Sequence, residues 1–504
     1  MGRARDSAEG GNGFAASAFP RRTFRRFSGD LDTDVCIIGA SFAGLAAGVA
    51  LARRGWSVAV LEAGEVGNGE SANALGLVAP GFSQTIERIA VRVGRENARD
   101  MWALSATGAA AVRAWPTAVP AGGEGAGTGQ LILQGRDDAA WAEREAEALR
   151  AFGAEAEVWP AARVEAALPG ARRFRAVYRP DAFRVHPLDC LYGLAGALEN
   201  AGGRIFEQTA VTATDVLGVR KRVRTAAGRL RANHLILASG ESGQLYPPLA
   251  GRMLRLFRHV AVTASLGEVA AAAVPFPGVV SHRLRSAAQF YREGERIIWA
   301  SPLTAKQGLP WFFARRAARQ VGRQHPGLAG AKIAHGWVAA AIYAAHRMPL
   351  VGALAPEVWI ADAFGDAPIG NAAMAGDLIA RAIAEKDDRW RVFSAYGPVW
   401  TGGLAGRWLI RVALPWVRAA AFIADRSDRP RAGAGEVSEA AAPNPAPTAP
   451  AGETDETQPV PTDGGRPKRR RGKKGRGRSP DEANGKANKR QSRREAQTTR
   501  SVTT

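Results

Sequence analysis

Residues 34–62 read DVCIIGASFAGLAAGVALARRGWSVAVLE, and their pattern predicts one βαβ unit. The apolar run 34–38 is typical of a strand buried on both faces. The Ala- and Leu-rich run 42–54 favours a helix by propensity, with Gly55 as its stop. A second apolar run, 57–61, predicts the returning strand. The sequence therefore predicts an α/β protein.

A glycine-rich turn joins the first strand to the helix. Gly39-Ala-Ser-Phe-Ala-Gly44 follows the Gly-x-Gly-x-x-Gly pattern of dinucleotide-binding turns, with Ser41 in place of the second glycine. The helix N-terminus behind such a turn faces a phosphate with free N–H groups. Glu62, 23 residues after Gly39, ends the second strand, where a carboxylate suits the ribose hydroxyls of adenosine. The pattern predicts dinucleotide binding; the alternative is a βαβ unit with an incidental turn and a surface glutamate.

Later parts of the chain repeat some of these signals. The apolar runs 235–238 and 358–361 predict two further buried strands, and 371–384 predicts a helix. Between them, residues 110–185 and 252–335 carry more Trp, Phe, Tyr and Arg and show less βαβ rhythm. We interpret these stretches as a second domain inserted into the first.

The net charge of +21 in 504 residues lies mainly at the two ends of the chain. Residues 466–500 hold 15 basic and 3 acidic residues and residues 1–28 hold 6 and 2, whereas 29–465 hold 47 and 42. This distribution argues against nucleic acid as a partner of the folded part. Residues 1–28 also lack the apolar run of a signal peptide. Because Cys36 and Cys190 are too few for a disulfide framework or a thiolate zinc site, we expect no metal and a reducing, cytoplasmic compartment.

The C-terminal part is set apart by its composition. Residues 430–465 are rich in Pro and Ala and predict a disordered linker. The basic run 466–478 predicts a solvated tail, or a nonspecific contact with RNA, DNA or anionic lipid. Trp400 to Ala424 carries three arginines and Pro415, which disfavour a membrane-spanning helix. We expect an amphipathic helix that covers apolar protein surface; the alternative is docking on a membrane surface, as in peripheral association.

Residues 34–71 together resemble the FAD-dependent amine and D-amino-acid oxidase (DAO) family, most closely its gamma-glutamylputrescine oxidase branch. Similar segments are found at 14–20, 237–243, 347–352, 358–365 and 374–382. The resemblance implies FAD as the cofactor and an α/β fold: a Rossmann-like FAD-binding domain, an inserted α+β substrate domain with an antiparallel sheet over the flavin, and the disordered basic C-terminal tail.

The expected domain boundaries combine composition with this resemblance. They are an N-terminal arm, 1–28; three parts of the FAD-binding domain, 29–110, 185–251 and 336–429, the last with the C-terminal helix; two parts of the substrate domain, 111–184 and 252–335; and the linker and tail, 430–504.

The resemblance also implies which residues contact FAD. The first glycine turn is expected to bind the pyrophosphate, and Glu62 is expected to bind the ribose. The turns that come later in the chain are expected to contact the flavin. The set is Gly39, Ala40, Ser41, Ala43, Gly44, Glu62, Ala63, Ser71, Val211, Ala238, Ser239, Gly240, Gly365, Asp366 and Ile369.

Three flavin-proximal segments depart from the family. Ser41 replaces a glycine, residues 72–76 read ANALG where this branch has Gly-Arg-Asn-Gly-Gly, and residues 366–368 read DAP in place of a Gly-His-Gly turn. Ala341 occupies the place where amino-acid oxidases of the family carry a carboxylate-binding arginine. This absence favours an amine over an α-amino acid as the substrate.

The expected activity is oxidation of the C–N bond of a small amine or amino acid, with hydride transfer to flavin and O2 or another acceptor completing the cycle. Side chains in segments expected to border the substrate are His282, Tyr291, Tyr343 and His346, each of which also suits a structural role. The alternative function is a flavin-binding protein without turnover that serves as a scaffold through its basic tail.

Overall fold

The computed structural model describes residues 21–115, 128–135, 139–171, 174–240, 242–282, 288–308, 322, 326–403, 405–406, 408–414 and 416. The chain divides into two compact units, residues 1–431 and 432–504, and every described residue belongs to the first. The predicted linker and basic tail lie outside the described residues.

The described strands are, in chain order, β1 (Gly29–Ile38), β2 (Val58–Leu61), β3 (Leu77–Val78), β4 (Thr128–Gly135), β5 (Glu157–Trp159), β6 (Phe174–Arg184), β7 (Arg204–Phe206), β8 (Val211–Asp215), β9 (Lys221–Thr225), β10 (Gly228–Leu237), β11 (Met253–Thr263), β12 (Val279–His282), β13 (Gln289–Glu293), β14 (Arg296–Ala300), β15 (Ile333–Ala344), β16 (Leu350–Ala355) and β17 (Val358–Asp362). The helices are α1 (Phe42–Ala52), α2 (Ile86–Val93), α3 (Arg95–Arg113), α4 (Ala139–Arg150), α5 (Ala161–Ala167), α6 (Pro187–Asn200), α7 (Glu268–Ala273) and α8 (Pro368–Glu385). Short 3-10 helices cover Glu70–Asn73, Pro247–Leu249, Pro326–Leu328 and Arg389–Tyr396.

The first sheet is the predicted Rossmann-like sheet. Its order is β16-β17-β10-β1-β2-β7, and the neighbours from β17 to β7 are parallel. The antiparallel β8–β9 pair continues from β10, and β16 lies antiparallel on β17. Helices α1, α3, α6 and α8 pack together. The last four residues of β1 are buried, as the apolar run 34–38 predicts.

The second sheet is mainly antiparallel, as the resemblance implies. Its order is β15-β11-β14-β13-β12-β4-β6-β3, with β5 on the side of β6; the β12–β4 pair is parallel. Leu131, Leu133 and Phe290 belong to its apolar core. The sheet includes β3, and β15 continues to Ala344, so its strands extend past the expected limits of the inserted domain.

Element boundaries differ from the sequence expectations for local reasons. β1 begins at Gly29 because residues 29–32 pair in register with β10. α8 begins at Pro368, not at 371, since the first turn of a helix tolerates a residue without an N–H. In the expected N-terminal arm, Arg21 binds Glu65 and Glu207 at 2.7 and 2.6 Å. Residues 21–28 are therefore attached to the body.

Candidate active site

A cavity of ≈ 560 Å³ lies between the two sheets. One end is formed by the carboxyl ends of β1, β2 and β10, which is where open α/β sheets bind ligands. The other end is formed by residues 338–342 of β15, residues 255, 257 and 258 of β11, and residues 363–366 and 368 of the turn after β17. The cavity therefore joins the glycine turn to the second sheet.

The glycines at the first end are required by close backbone contacts. Gly39 has φ +104°, and a Cβ there would lie 2.6 Å from the Ala238 carbonyl oxygen. A Cβ on Gly44 would clash with the carbonyl oxygen of Gly39. The two positions keep β1, β10 and α1 close together, as the dinucleotide-binding pattern predicts.

Ser41 is accommodated as the helix cap. Its hydroxyl accepts a hydrogen bond from the Gly44 N–H at 3.2 Å, and its extended backbone starts α1. The side chain is therefore used locally, and Ser41 still lines the cavity. The Phe42 N–H, in the first turn of α1, donates to Ser71 Oγ at 3.4 Å. The Phe42 N–H and the hydroxyls of Ser41 and Ser71 thus lie together where the pattern predicts a pyrophosphate.

Glu62 organises the same turn. One carboxylate oxygen accepts from the Ala40 N–H and the other from the Gly64 N–H, both at 2.9 Å. An ionised carboxylate has further acceptor sites, which suit ribose hydroxyls. The side chain borders the cavity, so its position fits the predicted adenosine contact.

The lining residues fit FAD at the dinucleotide end. Of the fifteen predicted contacts, those that line the cavity are Gly39, Ala40, Ser41, Ala43, Glu62, Ala63, Ser71, Val211, Ala238, Ser239, Gly240, Gly365 and Asp366. Gly44 acts in packing, and Ile369 is fully buried. The departing segment 72–76 also lines the cavity, and Pro368 is the first residue of α8.

Asp362 holds two turns together beneath the cavity. Its carboxylate accepts from the Gly240 N–H and the Ala363 N–H, each at 2.7 Å. Burial outweighs these bonds and raises the pKa of Asp362 to about 6.

The raised pKa of Asp362 predicts that the folded protein loses stability as the pH rises. Because its folded-state pKa exceeds the ordinary 3.8, the folded protein holds the proton more tightly than the unfolded chain. Relative to the Asp362→Asn variant, the wild-type free energy of unfolding should therefore fall by up to about 3 kcal/mol as pH rises from about 4 to about 6. Urea unfolding of both FAD-saturated proteins across this range measures the difference; a pH-independent difference would contradict the assignment.

An ionic cluster lies at the opposite end of the cavity. Arg258 Nη2 and the Tyr343 hydroxyl both donate to Asp366 Oδ1 at 2.7 Å, and Arg347 Nη2 lies 3.4 Å from Oδ2. The Asp366 N–H donates to Ser83 Oγ at 2.7 Å. The cluster ties the turn after β17 to the second sheet.

The cluster keeps Asp366 ionised. Burial alone would raise its pKa, but Arg258, the Tyr343 hydrogen bond and Arg347 outweigh burial and lower the pKa below the ordinary value. For Tyr343, burial and the charge of Asp366 raise the pKa, so the phenol stays a hydrogen-bond donor. The Asp366 side chain is 27% exposed, toward the cavity that it lines.

Two predicted substrate residues lie in the second sheet and do not line the cavity. The His282 ring packs against Phe174 and Phe290, with ring centres 5.4 and 6.1 Å apart. Tyr291 is 2% exposed, with the Arg184 guanidinium 3.9 Å from its ring centre. Burial raises the pKa of Tyr291. Both side chains occupy packed positions outside this cavity, so the structure does not bring them to the candidate site, and their contact with substrate stays a prediction.

The other two predicted residues have different positions. His346 lies in the turn between β15 and β16, where its Nδ1 accepts from the Met348 N–H at 3.1 Å and its Nε2 lies 3.2 Å from the Gly397 carbonyl oxygen. Burial lowers its pKa, and the neutral ring stabilises this turn away from the cavity. Tyr343 reaches the site through its hydrogen bond to Asp366.

Sequence reasoning missed Arg258, Gln289 and Gln307, which line the cavity. Arg258 is the one with a signal in the sequence, because it precedes the largely apolar run 259–263 in a strand. A charged residue in such a strand is buried only with a partner. Its partner, Asp366, is distant in sequence.

The family model for FAD-dependent oxidoreductases (DAO) matches residues 34–382. The chain belongs to this family. Gamma-glutamylputrescine oxidoreductase from Escherichia coli is 24% identical over 386 residues, covering 76% of this chain and 90% of that protein. Glycine oxidase from Geobacillus kaustophilus has a TM-score of 0.60 and 18% identity, covering 73% of this chain and 99% of that structure. L-Amino acid deaminase from Proteus myxofaciens has a TM-score of 0.56 and 16% identity, covering 73% of this chain and 94% of that structure.

Membership of the DAO family confirms the predicted cofactor and enzyme class. The protein is an FAD-dependent oxidoreductase. The solved structures share its mixed α/β fold.

Proposed function

We propose that the protein oxidises the C–N bond of a small primary or secondary amine to an imine, which water then hydrolyses. The observation that supports this activity is the continuous cavity from the glycine turn to the cluster of Arg258, Tyr343 and Asp366. FAD, when bound, supplies the acceptor for the hydride that leaves the substrate carbon. The residues of the chain bind FAD and the amine and orient them relative to each other.

Asp366 is the residue that we propose to anchor the amine. Its Oδ1 already accepts from Arg258 and Tyr343, whereas Oδ2 makes a long contact with Arg347 and retains capacity for a substrate N–H. A carboxylate with a lowered pKa is a weak base. Asp366 therefore orients the nitrogen and does not remove its proton.

The same cluster favours amines over α-amino acids. Arg258 lies opposite Ala339 in the β11–β15 pair, and its charge is compensated by Asp366. Ala341, which also lines the cavity, offers no cation to a carboxylate. A substrate carboxylate placed against Asp366 would be repelled by its charge, and the half-exposed Arg347, 3.4 Å from Oδ2, offsets part of this cost.

An anaerobic comparison of matched substrates tests the proposal. Propylamine should bleach the visible absorbance of the FAD-loaded protein at least about tenfold faster than α-aminobutyrate, which adds only a carboxylate; a factor of ten corresponds to about 1.4 kcal/mol. Gamma-glutamylputrescine belongs in the same panel because of the Escherichia coli relative. Faster bleaching by the amino acid would contradict the amine class. A yellow protein that no compound bleaches would instead favour flavin binding without turnover.

A further inference from the structure

The last described residues of the chain form a helix with an exposed apolar face. Residues 403, 405–406, 408–414 and 416 are helical. Trp408, Leu409, Val412 and Trp416 are 62%, 59%, 41% and 73% exposed. Large apolar side chains that are contiguous and exposed in this way indicate an interaction surface. We call these four side chains the tryptophan face.

The tryptophan face points away from the body of the protein. Gly406 is buried and Ile410 and Leu414 are half-buried, and these three recur every four residues. Trp408, Val412 and Trp416 recur with the same spacing but two residues out of step, which places them on the opposite side of a helix. The sequence expectation that this segment covers apolar protein surface therefore accounts for only one of its two apolar faces.

The start of this helix is fixed to the protein. The Thr401 N–H and hydroxyl both donate to the Gly251 carbonyl oxygen, at 2.8 and 2.7 Å. Arg252 Nη1 donates to the Pro398 carbonyl oxygen at 2.6 Å. These bonds attach the segment just before the helix to residues 251 and 252, immediately before β11.

The charged residues in the sequence around the tryptophan face are all basic. Residues 400–424 contain Arg407, Arg411 and Arg418 and no Asp or Glu. The basic residues of 466–500 follow on the same chain. Between 430 and 504 the only large apolar residues are three valines, so this part of the chain lacks the side chains to cover the tryptophan face.

We propose that the tryptophan face docks the enzyme on an anionic lipid bilayer, with the helix lying in the plane of the interface. Trp and Leu on one face with arginines beside them is the composition of interfacial helices. Tryptophan rings are favoured at headgroup level, and each basic residue near an anionic surface adds attraction. Within the described residues, no helix is long and apolar enough to cross the membrane.

Vesicle co-sedimentation of the full-length, FAD-loaded protein tests the proposal. We expect binding to vesicles of phosphatidylcholine with about one third phosphatidylglycerol, weaker binding to phosphatidylcholine alone, and loss of affinity as salt shortens the range of the charges. The Trp408→Ser/Trp416→Ser variant should bind at least about tenfold more weakly, because two exposed rings no longer enter the interface. Arg411→Gln should reduce binding to anionic vesicles and leave binding to neutral ones unchanged.

A matched control is available on another surface. Leu217 and Val219, in the turn between β8 and β9, are 96% and 92% exposed, so Leu217→Ser/Val219→Ser removes apolar side chains with a larger exposed fraction than Trp408 and Trp416. This variant should bind vesicles like the wild type. Wild-type vesicle binding by the Trp408→Ser/Trp416→Ser variant would assign the contact to the basic tail and overturn the proposal. So would a lipid-free dimer that this variant dissociates, since the occupant would then be a second copy of the chain.

Discussion

Replacing Asp366 with alanine should lower the free energy of unfolding by about 3–5 kcal/mol, because it removes the carboxylate that compensates the charge of buried Arg258. The Tyr343 hydroxyl loses its acceptor in the same change. Urea unfolding of the FAD-saturated protein measures this loss. Asp32→Ala is the control: Asp32 pairs with Arg231 at 2.7 Å but both side chains are exposed to solvent, so its removal should lower the stability far less than the Asp366 change.

A double variant separates structure from substrate binding at Asp366. Arg258→Met/Asp366→Ala removes both charges, and it should recover most of the lost stability because the buried cation is gone. If Asp366 also anchors the amine, the double variant should still lose about 10- to 100-fold in kcat/KM, the effect of one hydrogen bond to a charged group. Recovery of both the stability and kcat/KM in the double variant would show that Asp366 serves only as the ion-pair partner of Arg258. A loss below about 1 kcal/mol in the single variant would contradict the buried ion pair.

The dinucleotide end of the site could be predicted because its determinants are local. Gly39, Ser41, Gly44 and Glu62 lie within one βαβ unit, and their spacing follows from the geometry of a strand, a turn and a helix. The structure keeps these positions and adds the helix-capping role of Ser41. Local apolar runs likewise predicted four strands of the first sheet, namely β1, β2, β10 and β17.

The substrate end depends on contacts between distant parts of the chain. Arg258 and Asp366 are 108 residues apart and meet because β11 pairs with β15 and the turn after β17 lies against it. His282 and Tyr291 have residue types suited to catalysis, but the strand register of the second sheet turns them into packed positions. Side-chain chemistry alone does not reveal this register, which long-range pairing determines.

Glu62→Ala should weaken FAD binding by about 100-fold, a loss of about 2.7 kcal/mol. The change removes the acceptor for the Ala40 and Gly64 N–H groups, so the glycine turn loses its support as the ribose loses its partner. Hydrogen bonds to charged groups contribute about 1.5–3 kcal/mol each, which makes this the expected scale. Absorbance titration of the apoprotein with FAD gives the dissociation constant.

Two further variants identify what Glu62 contributes. Glu62→Gln keeps one carbonyl acceptor and should bind FAD with an affinity between those of the wild type and Glu62→Ala. Glu385→Ala removes an exposed glutamate that pairs with Arg54 at the end of α8, and it should leave FAD affinity unchanged. If Glu62→Ala retains wild-type affinity, the carboxylate serves only the turn, and the ribose must be held by main-chain groups of the cavity. If both Glu62 variants lose affinity equally, the negative charge itself is required, because the glutamine retains the shape and one acceptor.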